Sequence, residues 1–216
     1  MEKTLDLEKS PAGGLISEHR LLRRYLGLIK KDTSRMDQGK NPDRVLIERI
    51  IDFFHTYAHR CHYGKEEEIL FRDLHLKKLA PEHKKVIDEL VLDHIRERDL
   101  VDRLEIAKDK VWLGDSGALE AVLTNLKGIV NFYPGHMEKE ERQLFPAAMA
   151  YFSEKEQENM LREFAQFNQN LIHEKYIQIA DRYEGDLAPS EYGARSMQLV
   201  NQPEVSFLAE ESRKKK

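Results

Sequence analysis

Residues 62–71 read HYGKEEEILF, from His62 to Phe71, and residues 136–145 read HMEKEERQLF, from His136 to Phe145. The two stretches agree at six of ten positions (the His, the Lys, two Glu, the Leu and the Phe) at an offset of 74 residues. Self-similarity at a fixed offset marks an internal repeat. The repeat extends upstream, because Glu18-His19 lies 75 residues before Asp93-His94. Each half of the chain is therefore a segment with an acid-His pair followed, 43 or 42 residues later, by a segment with His-x-x-x-Glu.

Apolar residues around these landmarks recur at helical spacing. Leu15, Ile16, Leu21, Leu22, Tyr25, Leu26 and Ile29 define a first helix with Gly13-Gly14 at its entrance. The polar stretch from Asp37 to Pro42 breaks it, and Asp43 precedes a second helix that runs towards Leu70. Pro81 opens a third, which ends near the turn from Gly114 to Gly117. A fourth starts at Ala118 and reaches about Met149, with Pro134 expected to kink or restart it just before His136. A fifth run covers Glu154 to about Tyr183. No alternating strand pattern stands out. The expected fold is all-α: an antiparallel up-down four-helix bundle over residues 13–150, preceded by an N-terminal segment 1–12. An extra helix in 151–184 packs on the bundle, and 185–216 forms a loosely ordered tail with a short docked segment at Val205 to Leu208.

Composition limits the function. A chain of 216 residues, 40% hydrophobic and 34% charged, can bury one sizeable core. With 35 Lys and Arg against 39 Asp and Glu, its net charge of −4 gives no general attraction for nucleic acid or an anionic membrane surface. The basic end from Arg213 to Lys216 reads as a solvated tail. One cysteine, Cys61, cannot form an intramolecular disulfide, and no signal-peptide core or membrane-length apolar run is present, so the expected location is the cytoplasm. Oligomeric state is not written in the sequence.

Two helical hairpins meeting in a bundle bring His19, His62, Glu66, His94, His136 and Glu140 to comparable heights. On a helix, residues i and i+4 sit roughly 40° apart and about 6 Å along the axis. His62 with Glu66, and His136 with Glu140, thus each present two donors inward. Imidazole with carboxylate suits iron, manganese or zinc, whereas an oxygen-only set points to calcium or magnesium. Two shared carboxylates and four histidines suit two metals better than one.

The stretches GGLISEH (13–19), AHRCHYGKEEEILF (58–71), LDHIRERD (92–99) and HMEKEERQLFP (136–146) resemble hemerythrin-like, or HHE cation-binding, domains over residues 13–150. The resemblance implies two iron ions, one bound by His19 and His62, the other by His94 and His136, with Glu66 and Glu140 as bridges. Manganese or zinc fits the same donors. Ferritin-like sites use Glu-x-x-His, which is absent from this set, and His173-Glu174 runs on to Lys175-Tyr176-Ile177 rather than completing a zinc-protease motif. One departure concerns function. Oxygen carriers of this family have a further histidine one turn after the third-helix ligand, where this chain has Arg98. The expectation is a non-haem di-iron protein that binds, senses or reduces O₂, peroxide or nitric oxide, with metal binding expected ahead of catalysis. The alternative is an iron-sensing or iron-binding regulatory protein without redox turnover.

Other residues carry lesser expectations. His59, one turn before His62, is a candidate spare ligand or a donor to a carboxylate, and Glu97 a candidate for the place left by Arg98. Glu67 and Glu141, turned about 100° from the inward glutamates, read as acceptors behind the ligands or as surface acids. Tyr63, Tyr133 and Phe132 read as core or pocket lining, and Cys61 as a buried thiol. His55, His75, His83 and His173 read as structural or exposed.

Overall fold

A computed structural model describes residues 7–167 and 170–184, and every described element is helical. The tail from 185, with Val205 to Leu208 and the basic end, lies outside the described residues, as do residues 1–6.

Helix α1 spans Pro11–Asp37. It starts two residues ahead of the Gly13-Gly14 entrance because Ser10 caps it, its hydroxyl accepting from the Gly13 N–H at 3.2 Å, and Pro11 fills the first turn, where no donor is needed. Asp43 caps α2 in the same way, accepting from the Leu46 N–H at 3.0 Å. Helix α2 covers residues 44–75 but is not uniform. Regular α-helix over Arg44–Phe53 widens into π-helix at Phe54–His62, returns to α at Tyr63–Lys65, widens again at Glu66–Phe71 and closes as α at Arg72–His75. Helix α3 is Pro81–Trp112. Gly114, at φ 101°, provides the turn out of it, a conformation that favours glycine.

Helix α4 covers residues 119–148 and corrects one expectation. Leu119–Glu138 is continuous α-helix through Pro134, and the departure comes later, as π-helix at Lys139–Leu144. Proline removes a single backbone donor. The buried side chains of Tyr133 and His136 on either side of it hold the backbone in register. Within the fifth run the described residues form α5 (Glu154–Phe167) and α6 (Asn170–Glu184). The chain divides into two compact units after Tyr176, and the bundle belongs to the first. No helix among the described residues is long and apolar enough to cross a membrane.

In the bundle α3 and α1 both run against α4, and α5 lies across α1 and the second half of α2. Two apolar layers result. One, around Leu15, Leu70, Phe71, Leu90, Phe145 and Phe164, draws on α1 to α5. The other is aromatic: Tyr25 stacks on Phe53 with centroids 3.7 Å apart, Phe53 on Tyr57 at 5.0 Å, and Phe54 lies 5.7 Å from Tyr133. Between these layers every helix of the four carries buried histidine or carboxylate.

The start of α1 supplies a stability test. A Cβ on Gly13 would come within 2.1 Å of the Leu7 carbonyl oxygen and 2.6 Å of that of Glu8, whereas one on Gly14 would meet nothing within 4 Å. Backbone cannot give way cheaply, so Gly13→Ala is expected to destabilise by about 1–3 kcal/mol. Gly14→Ala is expected to stabilise by up to about 1 kcal/mol through helix propensity. Chemical denaturation of the two variants checks the pair.

Candidate metal centre

The side chains of His19, His62, Glu66, His94, His136 and Glu140 are all at most 2% exposed and come together inside the bundle. His19 Nε2 and His62 Nε2 are 3.1 Å apart, and His19 Nε2 is 3.2 Å from Glu140 Oε2. Across the centre, His136 Nε2 is 2.9 Å from Glu140 Oε1, and His94 Nε2 is 3.3 Å from Glu66 Oε2. His62 Nε2 lies 3.7 Å from Glu66 Oε1. Each glutamate therefore turns one oxygen to the His19/His62 pair and the other to the His94/His136 pair, the disposition of a bridge.

These separations suit a cation. Metal–nitrogen bonds of about 2.0–2.1 Å place two neighbouring ligands roughly 3 Å apart. They leave many of the inward atoms without a hydrogen bond, while His19 Nε2 and His62 Nε2 are close enough to share one. Both oxygens of Glu66, both of Glu140, Nε2 of His94 and both ring nitrogens of His136 are buried without a hydrogen-bond partner among the described residues. His136 Nε2 and Glu140 Oε1 are 2.9 Å apart, close enough for an ion pair, yet their geometry is not that of a hydrogen bond. Buried polar groups almost always find partners, so such a concentration of unpartnered atoms marks a place shaped for something else. Four donors (His19, His62, Glu66, Glu140) lie within 4.8 Å of one another, as do three (His94, His136, Glu140), and either group can hold a metal ion.

The outward ring nitrogens are also held. His19 Nδ1 is 2.6 Å from Glu141, His62 Nδ1 2.9 Å from Glu18, and His94 Nδ1 2.7 Å from Glu67. Only His136 departs, with Nδ1 3.7 Å from Asp93. A carboxylate on Nδ1 fixes the ring and leaves Nε2 as the inward donor. The carboxylates are braced in turn: Arg23 on Glu141, Arg98 on Glu67, Lys65 on Glu18 and Lys139 on Asp93. The repeated decamer is thereby explained almost residue by residue. Its His and first conserved Glu face inward, its second Glu holds a histidine of the other half, and its Lys braces an acid. Its final Phe lies against that same other-half ring, Phe71 against His94 at 6.1 Å and Phe145 against His19 at 6.0 Å. The Arg98 guanidinium goes to Glu67, away from the inward donors.

Charge follows from this packing. Burial opposes a charge on His19, but Glu140, Glu141 and Glu66 overcome it and raise its pKa to about 9. His94 and His136 shift the same way, burial again opposing and Glu140 with its fellow acids prevailing. Glu140 is held well below the usual carboxylate range, burial being outweighed by His136, His19 and His94. Asp93 falls to about 2, as His136 and Lys139 outweigh burial. The buried acids thus favour the protonated forms of His19, His94 and His136 in the metal-free centre.

His59 and Glu97 are not among the converging donors. They pair with each other, Nε2 to Oε2 at 2.6 Å, leaving Glu97 Oε1 buried without a hydrogen-bond partner among the described residues. Tyr63 stacks on His94 at 3.8 Å, Phe132 on His136 at 5.2 Å, and the Tyr63 hydroxyl donates to that of Tyr133 at 3.1 Å. Cys61 is a buried free thiol whose pKa burial pushes up. His55 meets Glu105 at the surface, His75 bonds the Phe71 carbonyl and His83 the Tyr151 hydroxyl. The side chain of His173 lies outside the described residues.

A helical bundle enclosing such a cluster of buried histidines and glutamates defines a class, the cation-binding four-helix proteins. The family model of the hemerythrin HHE cation-binding domain matches residues 11–148 and, in a second overlapping match, 85–186, and the chain belongs to that family. Neither the curated proteins nor the solved structures give a significant match.

Proposed function

We propose that this chain is a non-haem di-iron protein that binds, senses or reduces O₂ or a related small oxidant such as peroxide or nitric oxide. His19 and His62 hold one ion, His94 and His136 the other, and Glu66 and Glu140 bridge them. The observation that carries the reading is the convergence of buried histidine nitrogens and glutamate oxygens into two groups within one bundle, with both oxygens of Glu66 and of Glu140 unpartnered among the described residues. A pair of ferrous ions, when bound, supplies two electrons to such an oxidant. The residues do the rest. Phe71 and Phe145 close one side of the centre and Tyr63 the other, which keeps bulk water out. Glu67 and Glu141 hold the ring planes of His94 and His19. Arg98, drawn to Glu67, leaves the coordination place that a further histidine fills in the carriers, which favours reactivity or sensing over reversible transport. Manganese or zinc is the competing occupant for these donors. The absence of a basic surplus speaks against nucleic acid as a partner, and a lone buried cysteine suits the reducing cytoplasm.

A second reading, an iron-sensing regulatory protein without redox turnover, is favoured by one feature. Lys65, behind Glu18 and His62, is covered by Phe164 of α5, so occupancy of the centre bears on how α5 seats. Metal content and the visible spectrum after anaerobic purification separate the readings. About two irons per chain, with a charge-transfer band that develops in air and disappears in the His62→Ala, His136→Ala double variant, are expected. Iron without any spectral change in air, together with a large loss of helix on chelation, is the result for the regulatory reading. Zinc, or no metal at all, sinks the di-iron reading.

A further inference from the structure

The repeat makes the two halves alike, so the places where they differ stand out. His19, His62, Glu66 and Glu140 offer four atoms within 4.8 Å of one another, whereas His94 and His136 form such a group with Glu140 alone, Glu66 Oε2 lying 3.3 Å from His94. Both histidines of the first pair have Nδ1 held by a carboxylate, at 2.6 and 2.9 Å. In the second pair His94 is held at 2.7 Å, but His136 Nδ1 stands 3.7 Å from Asp93 and has no hydrogen-bond partner among the described residues. The bracing lysines differ too. Lys65 is fully buried, 5.8 Å from the Phe164 ring centroid, and Phe167 presses so closely on neighbouring Gly64 that an added Cβ would lie 3.0 Å from its ring. Its counterpart Lys139 is 27% exposed and divides its charge between Asp93 and Glu89. Helix α5 thus shields the first half of the centre, and the second half has no equivalent cover among the described residues.

We propose that the two metal positions are unequal: the one between His19 and His62 fills first and binds tightly, while the one between His94 and His136 fills second, binds more weakly and exchanges its ion. The proposal rests on the metal-centre reading above. Two ligand rings pre-set in plane and tautomer need no reordering when the ion arrives, whereas His136 must be ordered at that moment. Losing such an outer partner costs about tenfold to a hundredfold in metal affinity, which sets the expected gap between the positions. Glu97 is the one feature that favours the second position, standing where the first half has Leu22. Its Oε2 is engaged by His59 at 2.6 Å and its Oε1 has no hydrogen-bond partner among the described residues, but the carboxylate lies outside the converging groups.

The test is an anaerobic titration of the metal-free full chain with cobalt(II), read by visible absorption against a competing chelator. Two steps of one equivalent each are expected, separated by at least about tenfold in affinity. His136→Ala is expected to keep the tight step and lose the weak one, and His62→Ala to lose the tight one. Because His62→Ala risks unfolding, the near-isosteric Glu18→Gln gives the same information. It is expected to weaken the first step about tenfold or more with helix content unchanged. Two equivalents bound in one step of equal affinity, or a tight step lost in His136→Ala but kept in Glu18→Gln, overturns the inequality and leaves the metal centre standing. No cobalt bound by the unsubstituted chain overturns both.

Discussion

Replacing Glu140 with alanine is expected to strip metal from both positions at once, weakening each by about a hundredfold or more, whereas Glu141→Ala next to it costs about tenfold and chiefly at one position. The difference follows from where the oxygens point. Glu140 Oε2 is 3.2 Å from His19 Nε2 and its Oε1 is 2.9 Å from His136 Nε2 and 3.8 Å from His94 Nε2, so a single carboxylate faces both histidine pairs. Glu141 turns away and accepts from His19 Nδ1 and Arg23, touching one ligand from behind. The metal-free Glu140→Ala chain is also expected to lose about 3–5 kcal/mol, because removing one partner leaves buried charge on the histidines uncompensated. Elemental analysis after dialysis and denaturant melts of both variants check the pair. If Glu140→Ala retains one tightly held ion, Glu140 is not a bridge.

That two adjacent glutamates differ so sharply was half legible in the sequence. A turn of about 100° per residue separates one inward acid from its neighbour, which suffices to expect Glu67 and Glu141 behind the ligands. Their particular partners were not legible, because each holds a histidine of the opposite hairpin. Pairing across helices depends on how the helices pack, and sequence spacing within one helix is silent about that. The acid before each histidine, Glu18 and Asp93, was visible as part of the repeat, and so were Lys65 and Lys139. Their roles emerged only once α1 lay beside α2 and α3 beside α4. The all-α bundle and its repeat were readable because apolar spacing is a local property.

The π-helical stretches at Phe54–His62, Glu66–Phe71 and Lys139–Leu144 were not foreseen. Residue type barely distinguishes a wide turn from a regular one, and single π-turns tend to sit at functional sites because packing there repays the poorer backbone geometry. All three lie where His62, Glu66 or Glu140 faces the centre. Pro134 misled for a related reason: the expected kink needs a neighbourhood free to bend, and Tyr133 and His136 are both buried on either side of it. Exposure of hydrophobic residues was also outside the reach of spacing alone. Val91 and Ile95 fit the apolar pattern of α3, yet they are 36% and 56% exposed.

The metal-free and metal-loaded proteins are expected to diverge in stability as pH rises from about 6.5 to about 9. His19 is raised to about 9 in the folded chain, burial being overcome by Glu140 and Glu141. Its contribution to the metal-free fold is therefore full below its unfolded value of about 6.5 and lost as pH climbs through about 9, with an upper bound on the order of 3 kcal/mol. His94 and His136 act in the same direction. The acids act oppositely and elsewhere: Asp93, lowered from 3.8 to about 2, contributes above 3.8 and loses its effect as pH falls through about 2. Between these ranges the metal-free centre is held together by protonated histidines facing carboxylates. A cation needs the same inward nitrogens without their protons, so ion and proton compete for one set of lone pairs. Metal binding should accordingly release protons, and its affinity should rise with pH over the interval in which the metal-free fold weakens. The gap in Tm between loaded and metal-free protein is expected to widen steadily across that interval, because stabilisation by a ligand grows with the logarithm of its affinity. Calorimetric melts at both ends of the range, with proton release followed in weakly buffered solution during metal addition, decide the matter. A gap that narrows with pH, or uptake without proton release, would mean that the histidines do not present their inward nitrogens to the metal.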